Sequence, residues 1–401
     1  MELKVIRILE EMFNEEKDFQ GLYRSLKRLC DYNCLPVLVV SSTNPDGGDP
    51  GYGSDTLKGL DRDPCLMVKR EDRFCQVISV ILAGKSLKCK SFRVEDNIFK
   101  ARTSRDGTVI CERESLSKLQ EVTINGIIPI IPGSFSLLPE SEPGYLGWNG
   151  ADLSAVVLVE ALQQTQCYLW SGKRGLSSSN LPGISTLKSL GRISYGECLE
   201  MAAAGMNVPS ARAVERAENS NIRICVCRPD GQEEGTWIMS EVSGKSVIIK
   251  AVALDKETAK IAVLGVPDRP GIAARLFSGL AAEGICVEMI LQSVMRGQIN
   301  DIAFLVDKRD IEKTITACRD LSRQLGAQGV TFDTEIARVS VVGAGISSHA
   351  EIPSRVFSIL AGKGINIEMI SASSMAITCV VSSLDGEAAV HALHHEFMED
   401  K

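Results

Sequence analysis

The chain has no Cys-x-x-Cys pair, no histidine cluster, no surplus of basic residues and no apolar run long enough to cross a bilayer. Each absence removes a class of function. The 13 cysteines stand singly except for Cys225-Val226-Cys227, so they are expected to be reduced small hydrophobes, with no disulfide framework and no bound metal. A net charge of -7, with Lys and Arg interspersed among acids, offers no basic stripe for a phosphate backbone and excludes nucleic acid as a partner. The first residues, Met1-Glu2-Leu3-Lys4-Val5-Ile6-Arg7, bring charge where a signal peptide would be apolar, and no later segment approaches the roughly 20 apolar residues of a membrane span. The expectation is a cytoplasmic protein with no membrane contact. What is present is 401 residues, 44% hydrophobic and 24% charged, enough for two or three buried cores.

Residues 36–42 (Pro-Val-Leu-Val-Val-Ser-Ser) have the pattern of a buried strand running into a loop, preceded by a helix over 14–31. Thr43 to Asp63 is dense in Gly, Pro and Asp and is expected to be an excursion without regular structure. Gln76 to Leu82, Ile127 to Ile131 and Cys167 to Trp170 are further apolar runs that suggest strands, while Ala155, Val156, Val159 and Leu162 have helical spacing. Strands alternating with helices predict an α/β domain over residues 1–235.

The C-terminal region repeats itself. Val263-Leu264-Gly265, a helical stretch and Gly284-Ile285-Cys286-Val287-Glu288-Met289-Ile290 return about eighty residues later as Val341-Val342-Gly343 and Gly364-Ile365-Asn366-Ile367-Glu368-Met369-Ile370. Each copy has the order β-α-β-β-α, and the second ends without a closing strand. A ferredoxin-like βαββαβ module needs that strand, so the segment 247–254, which precedes the first copy, is predicted to close the second. The linear division is 247–335 and 336–401.

Chemistry concentrates at Gly265-Val266-Pro267-Asp268-Arg269-Pro270-Gly271-Ile272-Ala273, which joins a strand to a helix start. Unpaired amides there favour an α-carboxylate, Asp268 can receive an ammonium, and Gln292 can reach the same ligand. The plainer alternative makes Asp268 a helix cap and nothing more. His349 is expected to hydrogen-bond within a loop, and His391, His394 and His395 to lie on a solvated surface without metal.

These strings resemble the paired ACT modules of aspartokinases over residues 247–397, in Gly265 to Ala274, in Val341-Val342-Gly343-Ala344-Gly345 with Ser348-His349, and in Ile365 to Ser371. The resemblance implies two interleaved ACT modules that bind lysine or threonine where they meet, with Asp268, Gly271, Ile272, Ala273, Gln292, Asn366 and Ile367 at the matching positions. It also implies a homodimer formed through those modules. The second copy departs from the family at Ser374 and Ala376.

The N-terminal region resembles the aspartokinase catalytic domain, of the amino-acid kinase fold, in Leu146-Gly147 with Gly150, Asp152 and Ala155, in Ile193-Ser194-Tyr195 with Glu197 and Glu200, and in Arg212-Ala213-Val214-Glu215. Where the family carries Lys-Phe-Gly-Gly-Thr-Ser, this chain has Arg7-Ile8-Leu9-Glu10-Glu11-Met12, with no glycine to admit a phosphate and two acids to repel it. Arg-Gly-Gly-Ser-Asp becomes Trp148-Asn149-Gly150-Ala151-Asp152, and Thr-Asp-Val-Asp-Gly-Val becomes Ser171-Gly172-Lys173-Arg174-Gly175-Leu176. Lys-Val-x-x-Pro-Arg becomes Asn207-Val208-Pro209-Ser210-Ala211-Arg212. Gly150, Asp152 and Arg212 are what survives of the catalytic set. The expectation is therefore an aspartokinase-like protein with impaired catalysis that acts by sensing an amino acid, possessing ATP and Mg chemistry only if the kinase domain is active, with an active aspartokinase as a candidate partner. The alternatives are an active aspartate kinase, or a kinase for another small carboxylate or accessory protein of a biosynthetic pathway.

Overall fold

The computed structural model describes residues 2–13, 15–41, 64–101, 109–137, 143–146, 149–184, 187–229, 235–240, 248–293 and 299–399. The excursion from Thr43 to Asp63 lies outside them. The chain forms two units, one from residues 1–177, 188–202 and 207–245 and the other from 178–187, 203–206 and 246–401. Among the described residues no helix is long and apolar enough to cross a membrane.

The first unit runs β1 (Glu2–Leu9), α1 (Glu16–Asp31), β2 (Cys34–Ser41), α2 (Pro64–Ala83), β3 (Cys89–Ser91), β4 (Lys100–Ala101), β5 (Val109–Ile110), α3 (Arg113–Ile124) and β6 (Ile128–Pro132). It continues through β7 (Phe135–Leu137), β8 (Pro143–Tyr145), α4 (Gly150–Ala161), β9 (Gln166–Trp170), β10 (Arg192–Ser194), α5 (Tyr195–Ala203), α6 (Ala211–Asn219), β11 (Arg223–Cys227) and β12 (Gly235–Met239). Eight strands form one sheet in the order β10-β12-β11-β9-β1-β2-β6-β3, and every pair is parallel except β11 with β12. β2 is buried at every position, as a strand covered on both faces must be. α4 is buried along most of its length and has no polar face, which marks an interior helix.

One expected strand is a helix. Gln76 to Leu82 belongs to α2, whose Phe74, Cys75, Ile78 and Leu82 line one face and pack with Ile6, Ile8, Leu38 and Val40. Their spacing is helical, and Gln76, Val77 and Val80 point outward, so the run was apolar on two faces for different reasons. Among the described residues the cysteines are free. Burial pushes the thiols of Cys75, Cys167 and Cys198 well above the ordinary range.

The second unit contains β13 (Ile248–Asp255), β14 (Thr258–Pro267), α7 (Ile272–Ala282), β15 (Glu288–Gln292), β16 (Ile299–Asp307), α8 (Ile311–Leu325), β17 (Gly329–Asp333), β18 (Ile336–Ala344), α9 (Glu351–Gly362), β19 (Met369–Ala372), β20 (Ala376–Ser382) and α10 (Gly386–His394). They make two four-stranded sheets, β15-β16-β14-β17 and β13-β18-β20-β19. β13 pairs antiparallel with β18, the closure expected from the missing strand. The first module supplies its own closing strand, β17 on β14, so it is contiguous and nested between β13 and β18. Sheet pairing thus moves β13 out of the 247–335 block and into the second module.

The repeated Glu-Met-Ile acquires a physical reason. Glu288 of the first module pairs with Arg338 of the second, and Glu368 of the second pairs with Lys260 of the first. Each cation also meets an acid at the end of its own sheet's outer strand, Arg338 with Asp255 at 2.6 Å and Lys260 with Asp333 at 3.8 Å. Met289 and Met369 join Leu305, Ile336 and Val380 in a shared apolar cluster between the modules. The motif is the joint of a pseudo-two-fold pair.

Segment 178–187 belongs to this unit. Val252 N donates to Ser178 O at 2.9 Å, and the Asn180 carboxamide both accepts from Leu254 N at 2.9 Å and donates to Leu254 O at 2.7 Å. The outer edge of β13 is thereby paired and not left as an open template. Ser178 Oγ also lies 2.8 Å from His394 Nε2. His394 is fully buried, a correction to the expected surface position, whereas His391 and His395 are exposed.

Candidate functional site

Ligands in open α/β sheets bind at the carboxyl ends of the strands. In the first unit that edge holds Arg7 of β1, Ser41 of β2, the Gly133-Ser134 turn after β6 and the start of α4. Arg7 Nε lies 2.7 Å from Asp152 Oδ1, with side chains 6% and 1% exposed, although the N–H does not point along the contact as in a good hydrogen bond. Arg7 Nη1 donates to Trp170 O at 3.0 Å, and Asp152 Oδ2 accepts from Ser210 N at 3.1 Å. Around this pair, Ser41 Oγ meets Ser134 Oγ at 3.1 Å, Ser154 Oγ donates to Gly133 O at 2.7 Å, and buried Glu71 accepts from Ser134 N at 3.1 Å. A Cβ on Gly150 would come within 2.4 Å of Leu146 Cβ, so that glycine is required by packing.

Sequence reasoning named Gly150, Asp152 and Arg212. The structure places the first two in this cluster, and Arg212 Nη1 donates to Leu146 O at 3.3 Å. It missed Glu71, Ser134, Ser154 and Ser210, and did not foresee that Arg7 joins Asp152. The match at Ser194 and Glu197 has a structural cause: Ser194 N donates to Glu197 Oε2 at 2.8 Å and Glu197 N to Ser194 Oγ at 3.1 Å, a reciprocal cap for α5.

The turn after β1, where the resemblance to aspartokinases puts the phosphate loop, carries two acids and no glycine. Glu10 and Glu11 occupy a short 3-10 turn after β1, Glu10 is paired with Arg70 at 3.1 Å, and Arg7 is committed to Asp152. Lys173 and Arg174 are exposed. Among the described residues, no group of three or more His, Cys, Asp and Glu side chains is placed to hold a metal ion.

In the second unit, α7 begins at Gly271, which has φ 90° in the left-handed region, and no side chain caps it. Open space surrounds the glycine, so its conformation, not its size, demands it. Asp268 is exposed and is not the cap, contrary to the plainer alternative. The Ile272 amide donates to Arg269 O at 3.3 Å, and the first-turn amides after it, that of Ala273 among them, keep their positive end toward solvent. Gln292 ends β15, on the same sheet. Asn366 and Ile367 lie in the other module, between α9 and β19, so the expected effector set is drawn from both modules. His349 Nδ1 is 3.2 Å from Gly345 O, a contact within its own loop.

A kinase-like sheet followed by two nested βαββαβ modules defines an amino-acid kinase fold joined to an ACT pair. Residues 55–228 match the amino acid kinase family, and residues 261–321 and 339–397 each match the ACT domain. The chain is 31% identical to a Thermus thermophilus aspartokinase over 327 residues, covering 81% of this chain and 80% of that one. It is 34% identical to a Helicobacter pylori aspartokinase over 289 residues, 71% of each. The fold is that of Escherichia coli aspartokinase III in complex with aspartate and ADP, with TM-score 0.78, 19% identity and full coverage of both chains. The chain belongs to the aspartokinase family.

Proposed function

We propose that this aspartokinase-family chain binds a small amino acid at its ACT pair, lysine or threonine being the first candidates, and that its kinase-fold half transfers phosphate weakly or not at all. The uncapped α7 terminus with exposed Asp268 carries the first half of the proposal: the amides suit the α-carboxylate and Asp268 the ammonium, with Gln292 at the end of a strand of the same sheet. Support for the second half is the Arg7 to Asp152 pair, which ties up a cation at the strand end where a phosphate would need one, and the acids that follow it. Titration calorimetry of the full chain with lysine, threonine, methionine and aspartate tests ligand binding; saturable heat lost in Asp268→Ala is expected, and no heat with any of them overturns it.

An active aspartate kinase is the second reading, and the curated relatives favour it over impaired catalysis, because aspartokinases align with 81% of the chain. In that reading ATP and Mg are required, and aspartate-dependent ADP release decides between the two. Assembly as a homodimer is part of the proposal. Ile290 and Ile370, the third residues of the repeated Glu-Met-Ile, are 49% and 43% exposed on the edge strands β15 and β19, a symmetric apolar surface suited to a second copy. Sedimentation at twice the monomer mass is expected; a monomer with and without amino acid contradicts it.

A further inference from the structure

The two modules differ at one sheet edge. In the order β15-β16-β14-β17, strand β17 holds the place that β13 holds in β13-β18-β20-β19. The outer edge of β13 is covered by Ser178 and Asn180, whereas among the described residues no backbone hydrogen bond reaches Gly329–Asp333 except from β14. An open strand edge is a template for pairing, and proteins usually blunt it with a lysine, a proline or a bulge. β17, Gly329-Val330-Thr331-Phe332-Asp333, has none of these. Its one charge, Asp333, lies 3.8 Å from Lys260 on the neighbouring strand. Phe332 is 49% exposed although it pairs with the fully buried Ile261. By strand register Val330 and Phe332 share the helix-covered face with Val263 and Ile261, and exposed Thr331 lies on the other.

We propose that β17 is an interaction surface for a second copy of this chain, the two β17 strands pairing antiparallel about a two-fold axis through Thr331. The strand is self-complementary in that register. Thr331 faces Thr331 of the second copy, Val330 faces its Phe332 and Gly329 its Asp333, so all five residues are used and no like charges oppose each other. Threonine pairs and pairs of an aromatic with a β-branched residue are among the favourable cross-strand combinations. Phe332 of each copy extends the apolar face of the other beyond Val330, and the two four-stranded sheets become one of eight strands. An isologous contact of this kind closes on itself. That β13 already takes a covering segment at the same place in the fold supports the assignment. The contact is separate from the surface at Ile290, which lies on β15 at the opposite edge of the sheet.

Thr331 is exposed, so a charge there leaves the single chain intact and sets like charges face to face only in the pair. Sedimentation of the full chain over a range of concentrations is expected to give the native protein about twice the limiting mass of Thr331→Lys, whether or not the chain also associates through Ile290 and Ile370. Thr331→Glu should behave as Thr331→Lys does, and an equimolar mixture of the two should regain the native mass. Equal masses for the native chain and Thr331→Lys at every concentration overturn the pairing and leave the Ile290 and Ile370 surface untouched. Cross-linking supplies a second reading that needs no charged variant. Directly opposed residues have Cα atoms about 4.5–5.5 Å apart, within reach of a disulfide. Thr331→Cys, made together with Cys286→Ser to remove an exposed thiol, should give a disulfide-linked dimer with oxidised glutathione, and Cys286→Ser alone should not. Thermal melts identify any variant that fails to fold; absence of the cross-link in folded Thr331→Cys overturns the proposal even if the charged variants cannot be used.

Discussion

The two halves of the chain use the same charged groups in opposite ways. In the kinase-fold unit an arginine and an aspartate are buried against each other, Arg7 and Asp152 at 6% and 1% exposure, and are spent on each other. In the ACT unit the pairs Arg338 with Glu288 and Lys260 with Glu368 lie toward the surface and join two modules, while Asp268 is left open beside an uncapped helix. On the proposed reading, a charged site has become internal structure in one domain while an accessible one persists in the next.

The largest effect should come from breaking the buried pair. Arg7→Ala leaves Asp152 buried without its partner and is expected to destabilise the first unit by about 3–5 kcal/mol in chemical denaturation. The double variant Arg7→Met with Asp152→Leu should recover most of that. If Arg7→Ala costs under about 1 kcal/mol, the pair is not structural and the contrast between the halves collapses.

Next comes the joint between the modules. Met369 is 6% exposed in the shared cluster whereas Met289 is only partly buried, so Met369→Ala should cost about 2–4 kcal/mol and Met289→Ala clearly less, as read by thermal melts. Equal costs would mean that the two copies contribute alike and that the asymmetry in burial is not energetic. A smaller loss, about 1–2 kcal/mol, is expected for Asn180→Ala, which removes its two hydrogen bonds to Leu254 at the edge of β13. Hydrogen exchange should then rise at Leu254 first.

The smallest effect is one of pH. Burial alone would raise the Asp307 carboxyl, but hydrogen bonds and charge from Arg309 outweigh it and hold the group below its ordinary value. Its stabilising contribution is present above the unfolded carboxylate range near pH 4 and is lost as pH falls through the lower folded value. Asp307→Asn should flatten that part of the stability profile. An unchanged acid limb would contradict the assignment.

The repeat was legible because Gly284 and Gly364, then Glu-Met-Ile twice, recur at one offset, and closure by β13 followed from an edge that needed a partner. β17 was not legible: Gly329-Val330-Thr331-Phe332-Asp333 is exposed or half-buried throughout, so it has neither alternation nor an apolar run. Glu71 sits among Lys69, Arg70, Asp72 and Arg73 and has no local mark that distinguishes a buried acid from a solvated one. His394 was misplaced because its partner Ser178 is 216 residues away in sequence.

The contrast between the halves is tested most directly by coupled ADP release from ATP and Mg with aspartate as acceptor, using the full chain. The account predicts little or no increase in rate with aspartate, and little change in Asp152→Asn. Aspartate-dependent release that Asp152→Asn abolishes would contradict it, and would establish the buried pair as part of a working kinase.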